Sequence, residues 1–160
     1  MDTFVAASTA KFLMHAHGLD FYKFKWHRGT SRFGFCSYRD STISLSEELV
    51  AVSSEETVRN TILHEIAHAL VGPGHSHDSV WRRQFIALGG NGERTCGESE
   101  SVRKLREEKA KWSAKCPDCG NVFFAQKRLS NFDKRWCGAK PCASRNKVAE
   151  TRKYLVWEAK

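Results

Sequence analysis

The sequence predicts an α+β protein with a small second module at its C-terminal end, and three observations carry that prediction. Residues 61–71, Thr-Ile-Leu-His-Glu-Ile-Ala-His-Ala-Leu-Val, repeat apolar side chains at helical spacing. Three short segments between Tyr22 and Ser46 alternate apolar and polar residues with a period of two, as half-buried strands do. Two cysteine pairs, Cys116/Cys119 and Cys137/Cys142, sit 17 residues apart in a basic tail. That pattern reads as a zinc-ribbon-like fold.

Taken in order, residues 3–17 place Val5, Phe12, Leu13 and Ala16 as the apolar positions of an opening helix that stops at Gly18. Tyr22–Arg28, Phe33–Tyr38 and Thr42–Ser46 follow as strands, with turns at Gly29-Thr-Ser and Arg39-Asp-Ser. Tight turns between short strands predict a three-stranded antiparallel meander, with Cys36 as a small strand residue. Ser53 and Glu56 have capping-box spacing, so the next helix is expected to start at Ser53. Its stripe of Val58, Ile62, Ile66 and Ala69 or Leu70 should face the sheet, and Gly72-Pro-Gly should stop it. A further helix begins near Asp78 or Ser79, with Trp81, Phe85 and Leu88 on one face. These pieces make a first domain over 1–92, a charged connector over 93–113 that is helical near 100–111, and a four-cysteine module over 114–160. The closing Lys153–Trp157 reads as one more strand.

Hydrophobic content of 41% with 28% charged residues places the chain among globular proteins rather than disordered ones. No apolar run approaches the ~20 residues of a membrane span, and the N-terminus lacks a basic segment followed by an apolar one. A cytoplasmic protein without membrane association is therefore expected, in which six cysteines are thiols or metal ligands. The net charge of +8 is unevenly spread: residues 102–160 carry 16 Lys and Arg against 6 Asp and Glu. The remainder is slightly acidic, so the tail is the part expected to meet a polyanion.

His64-Glu65-x-x-His68 lies on the 61–71 helix. Residues four apart lie about 40° apart around a helix axis, so both imidazoles can grip one cation. Glu65 can then reach a water beside it as general base. A catalytic zinc takes three protein ligands and keeps one position open. His77, firmly placed just before the next helix, is the favoured third ligand. His75, in a glycine-flanked turn, is the alternative, or else a contact to ligand or substrate. Glu98 or Glu100 would be a carboxylate alternative. The spacing that would demand Gly and His at 71 and 74 is excluded, because Val71 and Gly74 stand there. Tyr38, Arg39 and His75 are candidate donors to an oxyanion. The expected cofactors are two zinc ions, one catalytic and one structural, the latter on Cys116, Cys119, Cys137 and Cys142. Cys96 has no evident partner. Between the cysteine pairs, Lys127, Arg128, Lys134 and Arg135 are interleaved with Phe132 and Trp136. Such a pattern suits phosphates and exposed bases, so DNA, single-stranded or irregular, is the expected partner.

The ordered set Phe33-Gly-Phe-Cys36, Ile43-Ser-Leu-Ser46, the H-E-x-x-H helix and His77-Asp-Ser-Val-Trp81 resembles the SprT-like zinc metalloproteases over roughly residues 5–92. The resemblance implies a small zincin-like α+β protease domain with zinc in a groove between sheet and helices. It makes His77 the counterpart of the family's third histidine. It also implies a zinc-ribbon-like C-terminal segment and DNA-dependent cleavage of proteins held on DNA, which would place the protein at the nucleoid. Two other functions compete: a regulatory protease that clips one repressor, and a non-catalytic zinc-ribbon DNA-binding protein. A scaffold has no chemical need for Glu65, which weighs against the second.

Overall fold

A computed structural model of the chain describes residues 1–95, 97–125, 135, 137, 142 and 154–160. It divides into two compact units, Met1–Leu105 and Arg106–Lys160. The architecture is α+β. No helix among the described residues is long and apolar enough to cross a membrane.

Helix α1 (Thr3–Ala16) starts at Asp2, whose side chain accepts the N–H groups of Phe4 and Val5 at 2.8 and 3.1 Å. Its buried positions are Ala6, Ala10, Leu13 and Met14. The expected core residues Val5 and Phe12 lie outside instead, Phe12 being 69% exposed. Two alanines on the inner face let α1 approach its packing partner closely, and large side chains there would hold the two helices apart.

The sheet of the first unit contains β1 (Lys23–His27), β2 (Gly34–Ser37) and β3 (Thr42–Ser46) in the order β1-β3-β2. β3 is antiparallel to β2 but parallel to β1, so the expected meander is corrected. Alternation reports which faces are buried and carries no record of which neighbour pairs with which. β3 wins the central place because all five of its residues can be buried. Its polar side chains are short and satisfied: Ser46 Oγ donates to the Gly29 carbonyl at 2.7 Å, Thr42 Oγ1 to the Asp40 carbonyl at 3.0 Å, and Ser44 Oγ pairs with His27 Nδ1 at 3.0 Å. Lys23 and Lys25 on β1 are exposed, as suits an edge strand.

A short helix that alternation did not signal, α2 (Glu47–Ala51), follows β3 directly, capped by Ser46 Oγ on the Leu49 N–H at 3.2 Å. Ser53 donates its N–H to the Val50 carbonyl and so belongs to the end of α2. The cap of the next helix is therefore Ser54, which accepts from the Thr57 N–H at 3.2 Å, and the expected box of Ser53 with Glu56 does not form. Helix α3 (Glu55–Val71) buries Val58, Ile62, Leu63, Ile66 and Ala67, packs on α1, β2 and α4 (Ser79–Ala87), and ends at Gly72 with φ +77°. Leu70 points outward. α4 starts at Asp78 and buries Trp81 and Phe85 in the same core.

Helix α5 (Glu100–Lys109) leads into the second unit. There β4 (Trp112–Lys115) lies between β5 (Val122–Ala125) and β6 (Val156–Ala159), all antiparallel. The apolar centre of this unit consists of Ala114, Leu155, Phe123, Trp157 and three cysteines.

Ile62→Ala should cost about 2–5 kcal/mol, because it opens a cavity beneath α3. Phe12→Ala, on the outer face of α1, should stay within about 0.5 kcal/mol of wild type. Chemical denaturation followed by far-UV circular dichroism measures both.

Candidate active site

Helix α3 offers His64 and His68 on one face, and the loop between α3 and α4 brings His77 to them. The Nε2 atom of His77 lies 3.0 Å from Nε2 of His64 and 3.0 Å from Nε2 of His68. Tetrahedral ligands with ~2.05 Å bonds to zinc are about 3.3 Å apart, so these two separations are near those of one coordination sphere, and all three nitrogens lie within 4.8 Å of one another. The loop reaches this position through unusual backbone: Gly72 and Gly74 have positive φ, and His77 itself has φ +58°. Histidine enters the left-handed region only at a cost, which points to a structural demand at that residue.

The three imidazoles are fixed from behind. Trp81 is almost wholly buried beneath them, 5.3 Å from the His68 ring in a stacked arrangement and 4.6 Å from the His77 ring edge-on. Phe85 meets the His64 ring at 5.4 Å. The His75 carbonyl accepts a hydrogen bond from the His68 ring. Since Nε2 faces the cluster, Nδ1–H is the donor, and the lone pair of Nε2 is left pointing inward. His77 Nδ1 is buried with no hydrogen-bond partner among the described residues. Burial, reinforced by His68 and His77, pushes the His64 imidazole down to about 3, and burial with His77 pushes His68 to about 4. His77 is lowered by burial and then by Arg94. Three neutral imidazoles with converging lone pairs repel one another unless a cation stands between them, so the donor set suits zinc.

Glu65 is only 5% exposed, beside this cluster. Burial pushes its carboxyl up to about 8, against the pull of the Arg32 charge and the Cys36 backbone N–H, which donates to it. A cleft lined by Gly34, Phe35, Cys36, Tyr38, His75 and Ser76 opens over the three histidines and Glu65.

Of the remaining candidates, His75 is not among the converging donors: its Nδ1 is held by Asp78 Oδ2 at 2.8 Å. Asp78 thereby ties that loop to α4, since Oδ1 accepts from the Val80 and Trp81 N–H groups at 2.9 and 3.0 Å. Glu98 and Glu100 are exposed and stand outside the donor group, so the carboxylate alternative is set aside. Tyr38 donates its hydroxyl to the His68 carbonyl at 3.1 Å and lines the cleft, whereas Arg39 is exposed. The Cys36 thiol is pushed up to about 11 by burial and then by Glu65, so it is inert at neutral pH. Sequence reading missed the backbone contributions of Cys36 and His75, because a main-chain donor or acceptor leaves no mark in residue type.

In the second unit, Cys116, Cys119, Cys137 and Cys142 converge with all four sulfurs within 4.8 Å of one another. Cys116 Sγ lies 3.9 Å from Cys142 Sγ, and Cys119 Sγ lies 3.7 Å from Cys137 Sγ. Disulfides are excluded by these distances. Four ligands with ~2.3 Å zinc–sulfur bonds would be about 3.8 Å apart. Despite burial, the Cys119 and Asp118 backbone N–H groups hold the Cys116 thiol down to about 7, favouring thiolate. Cys96, Lys127, Arg128, Phe132, Lys134 and Trp136 lie outside the described residues; Arg135 is exposed, and its carbonyl accepts from Leu155 N–H at 2.7 Å.

The purified protein should carry two zinc ions per chain by elemental analysis. His64→Ala with His68→Ala should remove one of them, and Cys116→Ser with Cys142→Ser the other.

A comparison with curated proteins returned no match. The SprT-like family matches residues 7–99, which include all of β1, β2, β3, α3 and α4. That span exceeds half of the 160 residues, and the chain belongs to the SprT-like family.

Proposed function

We propose that this chain is a zinc-dependent endopeptidase that cleaves proteins held on DNA. One observation carries the reading: a buried carboxylate, Glu65, stands beside three converging imidazoles at the floor of an open cleft. A structural metal site needs four closed ligands and no neighbouring base, whereas a hydrolytic one needs three ligands and a group that moves protons.

His64, His68 and His77 would hold the ion. When bound, zinc supplies a Lewis acid that polarises a carbonyl and lowers the pKa of water to about 7. With the cation beside it, the Glu65 carboxyl would be drawn back to its ionised form, from which it takes the proton of the attacking water and returns it to the departing amine. The Cys36 N–H and the Arg32 charge keep its carboxylate oriented and partly compensated in a buried place. The His75 carbonyl keeps His68 in the tautomer that ligation requires, and Trp81 excludes water behind the ring cluster. Cleaving proteins held on DNA also requires a surface that meets phosphates. The basic tail, with Lys127, Arg128, Lys134 and Arg135, suits that task by holding the enzyme on the DNA that its substrates occupy. Family membership supports the peptidase part of this reading, and the tail's charge supports the DNA part.

Glu65→Gln should retain both metals by elemental analysis yet lose cleavage by about 10²–10⁴-fold. An undiminished mutant would defeat the assignment. DNA-bound substrates should be cut faster than free ones, and single-stranded DNA should stimulate cutting with little sequence preference. One specific, DNA-independent cut would instead mark a regulatory protease.

If four basic side chains meet phosphates, raising salt from 50 to 200 mM should weaken single-strand binding about 50-fold. Replacing Lys127, Arg128, Lys134 and Arg135 by alanine should flatten that salt slope, as fluorescence anisotropy would show.

A further inference from the structure

The outer edge of β2 is the wall against which Glu65 lies. The Phe33 carbonyl accepts from the Ser46 N–H at 2.8 Å, so Phe33, Phe35 and Ser37 turn their backbone groups toward β3. Gly34 and Cys36, one residue out of phase, turn theirs away from the sheet. That is the side on which Cys36 donates its N–H to the Glu65 carboxylate. Gly34 stands at the same edge with no side chain. A Cβ built there would meet Glu65 Oε1 at 2.9 Å, Glu65 Cγ at 3.0 Å and Leu45 Cδ2 at 3.0 Å. Its φ is not in the left-handed region, so backbone freedom does not explain the glycine. Space does.

We propose that Gly34 is a positioning residue for Glu65: its missing side chain forms the slot that holds the carboxylate against β2, with the Cys36 N–H as the fixed donor. Two of the three atoms that crowd a new methyl belong to Glu65, one of them at the free end of its side chain. The easiest relief is for Glu65 to swing away, with a small shift of Leu45. Gly34→Ala therefore acts mainly on the carboxylate and little on the fold. The catalytic consequence rests on Glu65 being the proton carrier proposed above; the slot itself does not.

The experiment uses the full zinc-loaded chain and reads both the Cys36 amide and turnover. In ¹H–¹⁵N spectra the Cys36 amide proton should lie downfield and exchange slowly in wild type. It should move upfield and exchange faster in Glu65→Ala, and do the same in Gly34→Ala. Gly34→Ala should keep both metals and its far-UV spectrum while kcat falls about a hundredfold with KM little changed. In a Glu65→Asp background, whose shorter side chain withdraws from the slot, the added Gly34→Ala should cost less than about tenfold. If Gly34→Ala does not fold, adding Glu65→Ala must restore folding, because it removes the crowded atoms of residue 65. A Cys36 amide indifferent to Glu65→Ala, a Gly34→Ala enzyme with wild-type kcat, or a double variant that stays unfolded would each overturn the proposal. A wild-type chain that cleaves nothing would instead overturn the peptidase reading, and the Cys36 amide would still decide the slot.

Discussion

Three imidazole nitrogens brought to about one bond-pair's spacing, with a carboxylate buried beside them, are an arrangement that ordinary packing would avoid. Each ring gives up hydration, and the lone pairs face one another across 3.0 Å. A cation converts those repulsions into bonds, and the first unit is arranged to hold the rings ready for it. Its core supplies the rigidity: Ile62, Leu63, Ile66 and Ala67 anchor α3 from beneath, and Trp81 and Phe85 form the floor on which the rings rest. His77 accepts a left-handed backbone worth about 1–2 kcal/mol of strain to complete the set. Such strain persists only where surrounding structure dictates it, here the glycine-hinged loop on one side and the Asp78 cap of α4 on the other.

Asp78 shows how one side chain can connect fold and site. One oxygen closes the N-terminus of α4, which fixes Trp81; the other holds the His75 ring, whose residue also offers its carbonyl to His68. Its carboxyl is held below the usual range, chiefly by the Trp81 N–H and then by His75. A helix cap therefore doubles as support for one of the three converging imidazoles. On the opposite side, the sheet supports the carboxylate. β2 is an edge strand, and an edge has spare main-chain groups. Here one of those groups, the Cys36 N–H, is satisfied by Glu65.

The second unit is stabilised differently. Among its described residues the central cluster is mostly sulfur, with Ala114 and Leu155 as its aliphatic side chains. Four converging thiols could hold one metal, and metal binding there would be folding free energy. The turn at Cys116–Gly120, closed by the Gly120 N–H on the Cys116 carbonyl at 3.0 Å, aims backbone N–H groups at the first sulfur before any metal arrives.

What the sequence determined was what depends on neighbours along the chain. The i,i+4 spacing of His64 and His68 puts both on one helical face wherever that helix goes, and paired cysteines with a glycine after the first pair can close on a metal by local geometry. Charge asymmetry, too, is legible without a fold. The tertiary structure decided what depends on segments meeting. It placed β3 between β1 and β2, because only a strand with short, self-satisfying polar residues can be buried on both faces. It moved the α3 cap from Ser53 to Ser54, because α2 had already claimed Ser53. It turned Phe12 outward so that Ala6 and Ala10 could face inward. It brought His77, already favoured from the sequence, to the other two imidazoles through a left-handed turn that no residue pattern encodes. Local spacing fixes direction around an axis, and only packing across the chain fixes which groups share a point in space.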